Sequence, residues 1–199
     1  PDFDTPAAIT EKAFEDAKNG HTHYTASQGD PELLEKLAAM INTTTGFPHI
    51  MPSSILITHG GMGALTAALR TLLEQGDHVL LVEPHFPDYM AHIAFAGGIP
   101  IKVSSKFEDN FVPRPEDIES AITPQTRAII LNSPNNPTGA VIPGDVLDSI
   151  ALIAIKHNLV VISDEVYDRI LYEMPFETIS TRPGMAERTL VIKSFSKSY

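Results

Sequence analysis

The 199-residue sequence contains no cysteine, which excludes disulfide bonds and thiolate metal sites. Basic residues are also few, because 14 Lys and Arg stand against 25 Asp and Glu and leave a formal net charge of −11. A nucleic-acid partner requires a basic face, so this charge balance argues against one. No apolar run approaches the roughly 20 residues that a membrane-spanning helix needs. The sequence therefore predicts neither a nucleic-acid partner nor a membrane protein.

Other missing patterns narrow the class of protein further. The eight histidines lack metal-ligand spacing, His21 and His23 being the nearest pair, so no metal site is predicted. No Gly-x-Ser-x-Gly elbow is present, which argues against a Ser-His-Asp hydrolase. The first residues lack a basic segment followed by an apolar one, so no signal peptide is predicted. We expect a soluble, cytoplasmic protein.

What the sequence does contain is an alternation of apolar strands and helices. With 43% apolar residues the chain can bury a full core. Strands are predicted at residues 55–58, 79–82, 101–104, 128–131, 160–163 and 189–192, and helices at 7–18, 30–40, 63–74, 89–96, 115–122 and 145–157. Several strands are continuous Val, Ile and Leu runs, which indicates burial on both faces. The pattern predicts an α/β fold with a doubly wound, mostly parallel sheet flanked by helices.

Chemically suggestive residues follow the predicted strands. Ligands of such sheets lie beyond the carboxyl ends of the strands. The segments in that position are residues 60–62, 83–86, 132–136, Asp164 and 194–197. We expect them to meet at one edge of the sheet and to form a ligand site there.

The glycine-rich segment at residues 60–63 joins a predicted strand to a helix. The N-terminal amides of that helix could bind a phosphate, and the alternative is a tight structural turn. A dinucleotide-binding fingerprint is a second alternative, because Glu83 lies 20 positions beyond Gly63. That pattern lacks its third glycine here, and Glu83 runs straight into Pro84.

An aromatic and an amide side chain follow two other strands. Phe86 stands between Pro84 and Pro87, where it could stack on a heteroaromatic ring or anchor the loop to the core. Asn136 lies in a proline-flanked turn segment, residues 133–139. It could donate to a phenolate or a carboxylate, or serve the turn alone.

A carboxylate, Asp164, ends the apolar strand at residues 159–162. A buried carboxylate is costly unless a cation or several donors meet it, and a protonated pyridine nitrogen is a fitting cation. The alternative is a helix N-cap. Tyr167 could bring its hydroxyl to the same site, whereas Glu165 is interpreted as structural or as a charge at the rim.

The last strand is followed by Ser194, Ser196 and Lys197. A lysine in this position suits a Schiff base to a cofactor aldehyde, with hydroxyls near the cofactor phosphate. The alternative is a polar loop after a strand. Together with three upstream segments, at residues 58–63, 135–139 and 163–167, this motif is far more specific than the lysine motif alone.

In order and spacing, these residues resemble the class I and II aminotransferases, which are fold-type I enzymes that use pyridoxal 5′-phosphate (PLP). The resemblance runs from about Tyr24 to Tyr199. It implies phosphate contacts from Tyr24 of a neighbouring subunit, from the backbone amides of Gly61 and Met62, and from Ser194. It implies contacts to the ring from Phe86 by stacking, from Asp164 at the nitrogen, and from Asn136 and Tyr167 at the ring oxygen, with Lys197 as the Schiff-base lysine. Met62 departs from the family, which usually has a small or polar residue there.

The resemblance implies transamination between an amino acid and a 2-oxo acid, with Lys197, Asp164 and Tyr167 as catalytic residues. It also implies a homodimer, because Tyr24 would serve the neighbour's cofactor. Two other classes that share these motifs stay open. One is another fold-type I PLP enzyme, such as a C–S lyase, a cyclopropane-forming synthase or a decarboxylase. The other is the non-catalytic PLP-binding domain of a transcription regulator.

The family continues for about as many residues again, with a further phosphate-binding arginine and a small C-terminal domain whose arginine holds the substrate carboxylate. We therefore expect an N-terminal helical segment at residues 1–45 and an incomplete PLP-binding large domain at residues 46–199. The small C-terminal domain is then missing and the usual N-terminal arm shortened. We expect such a chain to be inactive, or nearly so, on its own.

Overall fold

The computed structural model describes residues 4–44, 49–172 and 175–199. Within them, a five-stranded sheet in the order β2-β1-β3-β4-β5 forms the centre. The strands are β1 (His78–Glu83), β2 (Ile99–Ser104), β3 (Thr126–Asn132), β4 (Val160–Asp164) and β5 (Thr189–Ile192). Every neighbouring pair is parallel. The predicted parallel α/β sheet is thus confirmed, and its order reverses between β1 and β3, where such sheets bind ligands.

Six α-helices lie within the described residues. They are α1 (Ala7–Lys18), α2 (Pro31–Thr44), α3 (Gly60–Leu72), α4 (Asp88–Phe95), α5 (Pro115–Ser120) and α6 (Gly144–Lys156). Four of them, α3 to α6, lie against the faces of the sheet. Asp30 caps α2, because its Oδ1 accepts a hydrogen bond from the amide of Leu33 at 3.0 Å. Short 3₁₀ turns at Ile179–Thr181 and Phe195–Lys197 follow β4 and β5.

The core consists of two apolar clusters, one on each face of the sheet. Side chains of α5 and α6 pack against one face, and side chains of α3 and α4 pack against the other. Successive strand residues serve opposite clusters, as Ile129 and Ile130 of β3 do. Both faces are therefore buried, which explains why the strands read as continuous apolar runs.

The strand predicted at residues 55–58 is wrong. Ile55 has extended dihedral angles, but the amide of Ile57 donates to the carbonyl of Gln28 at 2.9 Å. The side-chain amide of Gln28 donates in turn to the carbonyls of Pro52 and Ile55, at 3.0 and 2.7 Å. The segment is extended, yet it bonds to a loop and not to a strand of the described sheet.

The N-terminal part is the least buried region of the described chain. No residue of α1 is buried. The predicted boundary between residues 45 and 46 lies outside the described residues. None of the described helices combines the length and the apolar character that crossing a membrane requires.

Candidate active site

The predicted site residues that follow strands of the sheet lie at its carboxyl edge, as expected. Phe86 follows β1, Asn136 follows β3, Asp164 ends β4 and Lys197 follows β5. Hydrogen bonds tie the neighbouring strand ends together: Asn135 Nδ2 to the Pro84 carbonyl at 3.3 Å, Asn132 Nδ2 to the Asp164 carbonyl at 3.0 Å, and the Glu165 amide to the Ile192 carbonyl at 2.9 Å. Hydrogen bonds therefore connect the ends of β1, β3, β4 and β5 to one another along this edge.

Asp164 is a buried carboxylate, with 8% of its surface exposed. Its Oδ2 accepts a hydrogen bond from the Tyr89 hydroxyl at 2.5 Å, and its Oδ1 accepts a longer one from the Val166 amide at 3.3 Å. Burial raises the pKa of the Asp164 carboxyl, whereas these two donors and the charge of Lys197 act in the opposite direction. Oδ1 is weakly satisfied and can accept a further, stronger donor.

Tyr89 is a site residue that the sequence reasoning missed. It lies in α4, only 2% exposed, and its ring meets that of Phe86 edge to face, with centroids 5.8 Å apart at 78°. Burial, together with the charge of Asp164, raises the pKa of the Tyr89 hydroxyl, which therefore stays protonated as a donor. A tyrosine on an apolar helix was the available signal, but its partner could not be read from nearby residues.

Two lysines follow β5, and their surroundings differ. Lys193 Nζ lies 2.6 Å from Asp168 Oδ2 and 3.0 Å from Glu165 Oε2. Lys197 is exposed, with its Nζ 5.9 Å from the centroid of the Tyr167 ring, and it forms no ion pair within the described part of the chain. Lys197 is therefore the lysine whose amine remains available at this edge.

The N-terminus of α3 supplies free backbone donors beside the same strand ends. Gly60 begins the helix with a positive φ of +68°, a conformation that favours glycine. His59 makes no side-chain cap and the first turn has no acidic residue, so the amides of Gly61 and Met62 can serve an anion. A Cβ on Gly61 would lie 3.4 Å from Val166 Cγ1 and 3.6 Å from Ile192 Cγ2. The helix thus starts in contact with the ends of β4 and β5.

Ser194 and Asn136 are held by local hydrogen bonds. Ser194 Oγ accepts from the Ser196 amide at 3.2 Å and so caps the turn that carries Lys197. Asn132 Oδ1 accepts from the amide of Asn136 at 2.8 Å, while Asn132 Nδ2 donates to the Asp164 carbonyl. Asn132 was predicted only as the start of a segment, and the structure shows that it joins the ends of β3 and β4.

Two other residues that the sequence analysis discussed differ in exposure. The side chain of Tyr24 is fully exposed. Glu165 was interpreted as structural or as a rim charge, and the rim alternative is wrong, because only 1% of its surface is exposed.

Comparison with known proteins identifies the family. The family model described as aminotransferase class I and II matches residues 1–199, the whole chain. The aspartate/prephenate aminotransferase of Thermus thermophilus is 39% identical over 199 residues, which are 100% of this chain and 51% of that protein. The aromatic aminotransferase of Pyrococcus horikoshii superposes with a TM-score of 0.96 at 38% identity, over 99% of this chain and 53% of the other.

The chain therefore belongs to the class I and II aminotransferase family, and the predicted resemblance is confirmed. The N-succinyldiaminopimelate aminotransferase of Mycobacterium tuberculosis has the same fold, with a TM-score of 0.93 at 36% identity over 98% of this chain and 51% of the other. The chain spans about half the length of the relatives it matches. None of these relatives favours the dinucleotide-binding alternative.

Proposed function

We propose that this chain binds PLP and supplies the cofactor-binding part of an aminotransferase that moves an amino group between an amino acid and a 2-oxo acid. One observation carries the proposal. The buried carboxylate of Asp164, held by Tyr89, lies within the electrostatic reach of Lys197, whose amine has no carboxylate partner among the described residues. Family membership supports the proposal independently.

The residues at the sheet edge fit the chemistry of PLP. The uncapped first turn of α3 suits the phosphate, as backbone amides at a helix N-terminus bind anions. Oδ1 of Asp164 accepts only a long hydrogen bond among the described residues and could accept the ring N–H, and Phe86 is an aromatic residue of the same edge that can stack on the ring. Lys197 would hold the aldehyde carbon through its amine.

When bound, PLP supplies an electron-withdrawing ring that stabilises negative charge at the substrate α-carbon. Asp164 would accept a hydrogen bond from the ring nitrogen and keep it protonated, and Tyr89 would keep Asp164 ionised by donating to Oδ2. Asn136 and Tyr167 would donate to the ring oxygen. The Lys197 amine would remove and return the proton at the substrate α-carbon.

Titration of the chain with PLP and, separately, with NAD tests the proposal. We expect saturable binding of PLP with a visible absorbance band, no saturable binding of NAD, and loss of the band in Lys197→Ala. Lys156→Ala is the matched control, because Lys156 pairs with Glu119 on the surface far from this edge. Binding of NAD without PLP would overturn the proposal in favour of a dinucleotide site.

The substrate class rests on the relatives. Those named above are, by their names, enzymes of aspartate, prephenate, aromatic and succinylated substrates, and the pair for this protein is proposed only as an amino acid with a 2-oxo acid. Products from candidate amino acids distinguish the alternatives: amino transfer yields a 2-oxo acid, a C–S lyase yields a thiol, and a decarboxylase yields carbon dioxide. A non-catalytic domain would bind PLP and yield none of these.

A homodimer is part of the proposal. Several of the exposed apolar and aromatic side chains lie in the N-terminal part of the described chain: Ile9, Phe14, Tyr24, Met51 and Leu56. Such surface favours association with a second copy, in which Tyr24 would reach the neighbour's cofactor phosphate. We expect a dimer in sedimentation and weaker PLP retention in Tyr24→Phe. A monomer saturated with PLP would contradict this.

The proposal also includes a division of the chain into two parts and a cytoplasmic location. Residues 1–45 would form the N-terminal helical segment and residues 46–199 the PLP-binding domain, which limited proteolysis near residue 45 would test. The cytoplasmic location stays a prediction, and fractionation of the source cells would test it.

A further inference from the structure

A cluster of charged residues around Glu165 lies next to Asp164, on the other side of the sheet edge. The Asp164 side chain contacts Tyr89 of α4, whereas the side chain of Glu165 contacts Thr178, beside the 3₁₀ turn on the other side of the sheet edge. Oε1 of Glu165 accepts hydrogen bonds from the hydroxyls of Ser163, at 2.9 Å, and Thr178. Two adjacent carboxylates thus end β4 and face opposite ways.

Lys193 is the cation that pairs with the carboxylates of this cluster. Its Nζ lies 3.0 Å from Glu165 Oε2 and 2.6 Å from Asp168 Oδ2, and 5.4 Å from the centroid of the Phe176 ring. Oε2 of Glu165 is buried and accepts no hydrogen bond from the described residues, so the contact with Lys193 is an ion pair without hydrogen-bond geometry. A carboxyl group this deeply buried stays ionised only with such a cation beside it.

The ion pair lies one step beyond the end of the β4–β5 ladder. Asp164 and Ile192 are the last partners in register, and the Glu165 amide donates to the Ile192 carbonyl. Glu165 and Lys193 are the next residues on the two strands, so their side chains continue the pairing where the backbone ladder stops. Asp164 precedes one of them and Ser194 follows the other, with Lys197 in the next turn.

We propose that Glu165 and Lys193 are positioning residues, whose buried ion pair fixes the turn carrying Ser194 and Lys197 against the end of β4 that carries Asp164. The part of this inference that concerns PLP rests on the proposed function. A buried ion pair adds little net stability, because desolvation offsets the attraction, but its geometry is specific. That specificity sets the place of Lys197 relative to Asp164.

Hydrogen exchange of the chain without cofactor tests whether the two segments are tied. The variants are Lys193→Met, Glu165→Gln and their combination, with Lys156→Met as the surface control. We expect Lys193→Met to raise the amide exchange rates about 10-fold in residues 193–199 and in the segment after Asp164, because residues in contact are energetically coupled. In the double variant both side chains are uncharged, so Glu165 is not left as a buried charge without its partner. Hydrogen exchange can be measured on this variant if Lys193→Met alone does not fold. Exchange that is unchanged in Lys193→Met and in the double variant would overturn the inference.

PLP binding tests whether the tie positions Lys197. We expect Lys193→Met to raise the Kd for PLP about 10-fold and to lower the fraction of bound PLP that shows the visible band, with partial rescue by Lys193→Arg, because misplacing a reacting group is costly. A role in stability alone would lower the unfolding midpoint and leave both readouts unchanged, which would overturn the positioning role. If the unaltered chain binds no PLP, the proposed function fails, while hydrogen exchange still decides whether the segments are tied.

Discussion

Tyr89 donates a 2.5 Å hydrogen bond to Asp164 across 75 positions of sequence, and both side chains are buried. Burial raises the pKa of the Asp164 carboxyl and so disfavours its charged form, whereas the hydrogen bond from Tyr89 lowers that pKa. The pair connects α4 with the end of β4. The charge on Asp164 therefore depends on a hydroxyl group that core packing holds in place. Tyr89 lies in the helix after β1 and Asp164 is the last residue of β4, so only the fold brings them together.

Removing the Tyr89 hydroxyl is expected to weaken the site. In Tyr89→Phe, Asp164 loses its shortest donor, its pKa rises further, and its charged form becomes less favourable for a pyridinium partner. Hydrogen bonds to charged groups contribute about 1.5–3 kcal/mol, so the Kd for PLP should rise by about one order of magnitude or more. Absorbance titration measures the change. Tyr172→Phe, at an exposed tyrosine, is the control and should bind PLP normally.

Gly29 and Gly20 are expected to differ sharply when changed to alanine. Both have positive φ angles, of +131° and +93°. A Cβ at Gly29 would lie 2.5 Å from Ile57 Cγ1, whereas nothing lies within 4 Å of one at Gly20. Backbone strain of about 1–2 kcal/mol applies to both, and overpacking adds about 1–3 kcal/mol at Gly29 alone.

Urea unfolding of the two alanine variants measures this difference. Equal loss of stability would mean that the contact between the loop at Gly29 and the extended segment at residues 55–58 is not as close as the structure has it.

The stability of the chain is expected to fall as pH rises through the titration of Glu165. Burial raises the pKa of this carboxyl above its ordinary value of 4.5, although Lys193 opposes the rise. The folded state therefore holds the proton at pH values where the unfolded chain has released it. The free energy of unfolding declines as the pH rises from 4.5, the ordinary pKa, to the higher pKa of Glu165 in the folded state. Asp164, whose pKa burial also raises, contributes in the same direction.

Glu165→Gln removes one of these two contributions. The unfolding free energy, followed against pH, should then decline less steeply in that window. Glu187→Gln, at an exposed glutamate, is the control and should keep the slope of the unaltered chain. A slope unchanged in Glu165→Gln would mean that Glu165 titrates alike in the folded and unfolded chain.

Sequence patterns predicted the sheet well because each strand carries its own signal. The apolar run at residues 189–192 coincides with β5, and every other strand of the sheet overlaps its prediction. The run at residues 55–58 failed because an apolar pattern predicts an extended, packed segment and not its partner. Tyr89 and Lys193 were missed as partners of Asp164 and Glu165 for the same reason, since their contacts depend on how distant segments come together.

The chain by itself is expected to catalyse little transamination even when it holds PLP. Within the described residues no arginine contacts Asp164 or Lys197; Arg182, for example, is paired with Asp148 and Glu177. We therefore expect the chain to lack a charged, bidentate grip on the substrate carboxylate next to these two residues. Loss of such a grip costs about 2–5 kcal/mol, or roughly 30- to several-thousand-fold.

Steady-state assays of the chain, with the Thermus thermophilus aspartate/prephenate aminotransferase as positive control, measure this loss. Comparable rates would place the carboxylate grip within the 199 residues.

The most direct measurement is the position of PLP after reduction with borohydride. The chain is loaded with PLP, reduced, digested and mapped by mass spectrometry. Lys197 forms no ion pair among the described residues and lies within the electrostatic reach of Asp164, whereas Lys193 is engaged by Glu165 and Asp168. Our account predicts the reduced cofactor on Lys197. A cofactor on Lys193, or on no lysine of this edge, would contradict it.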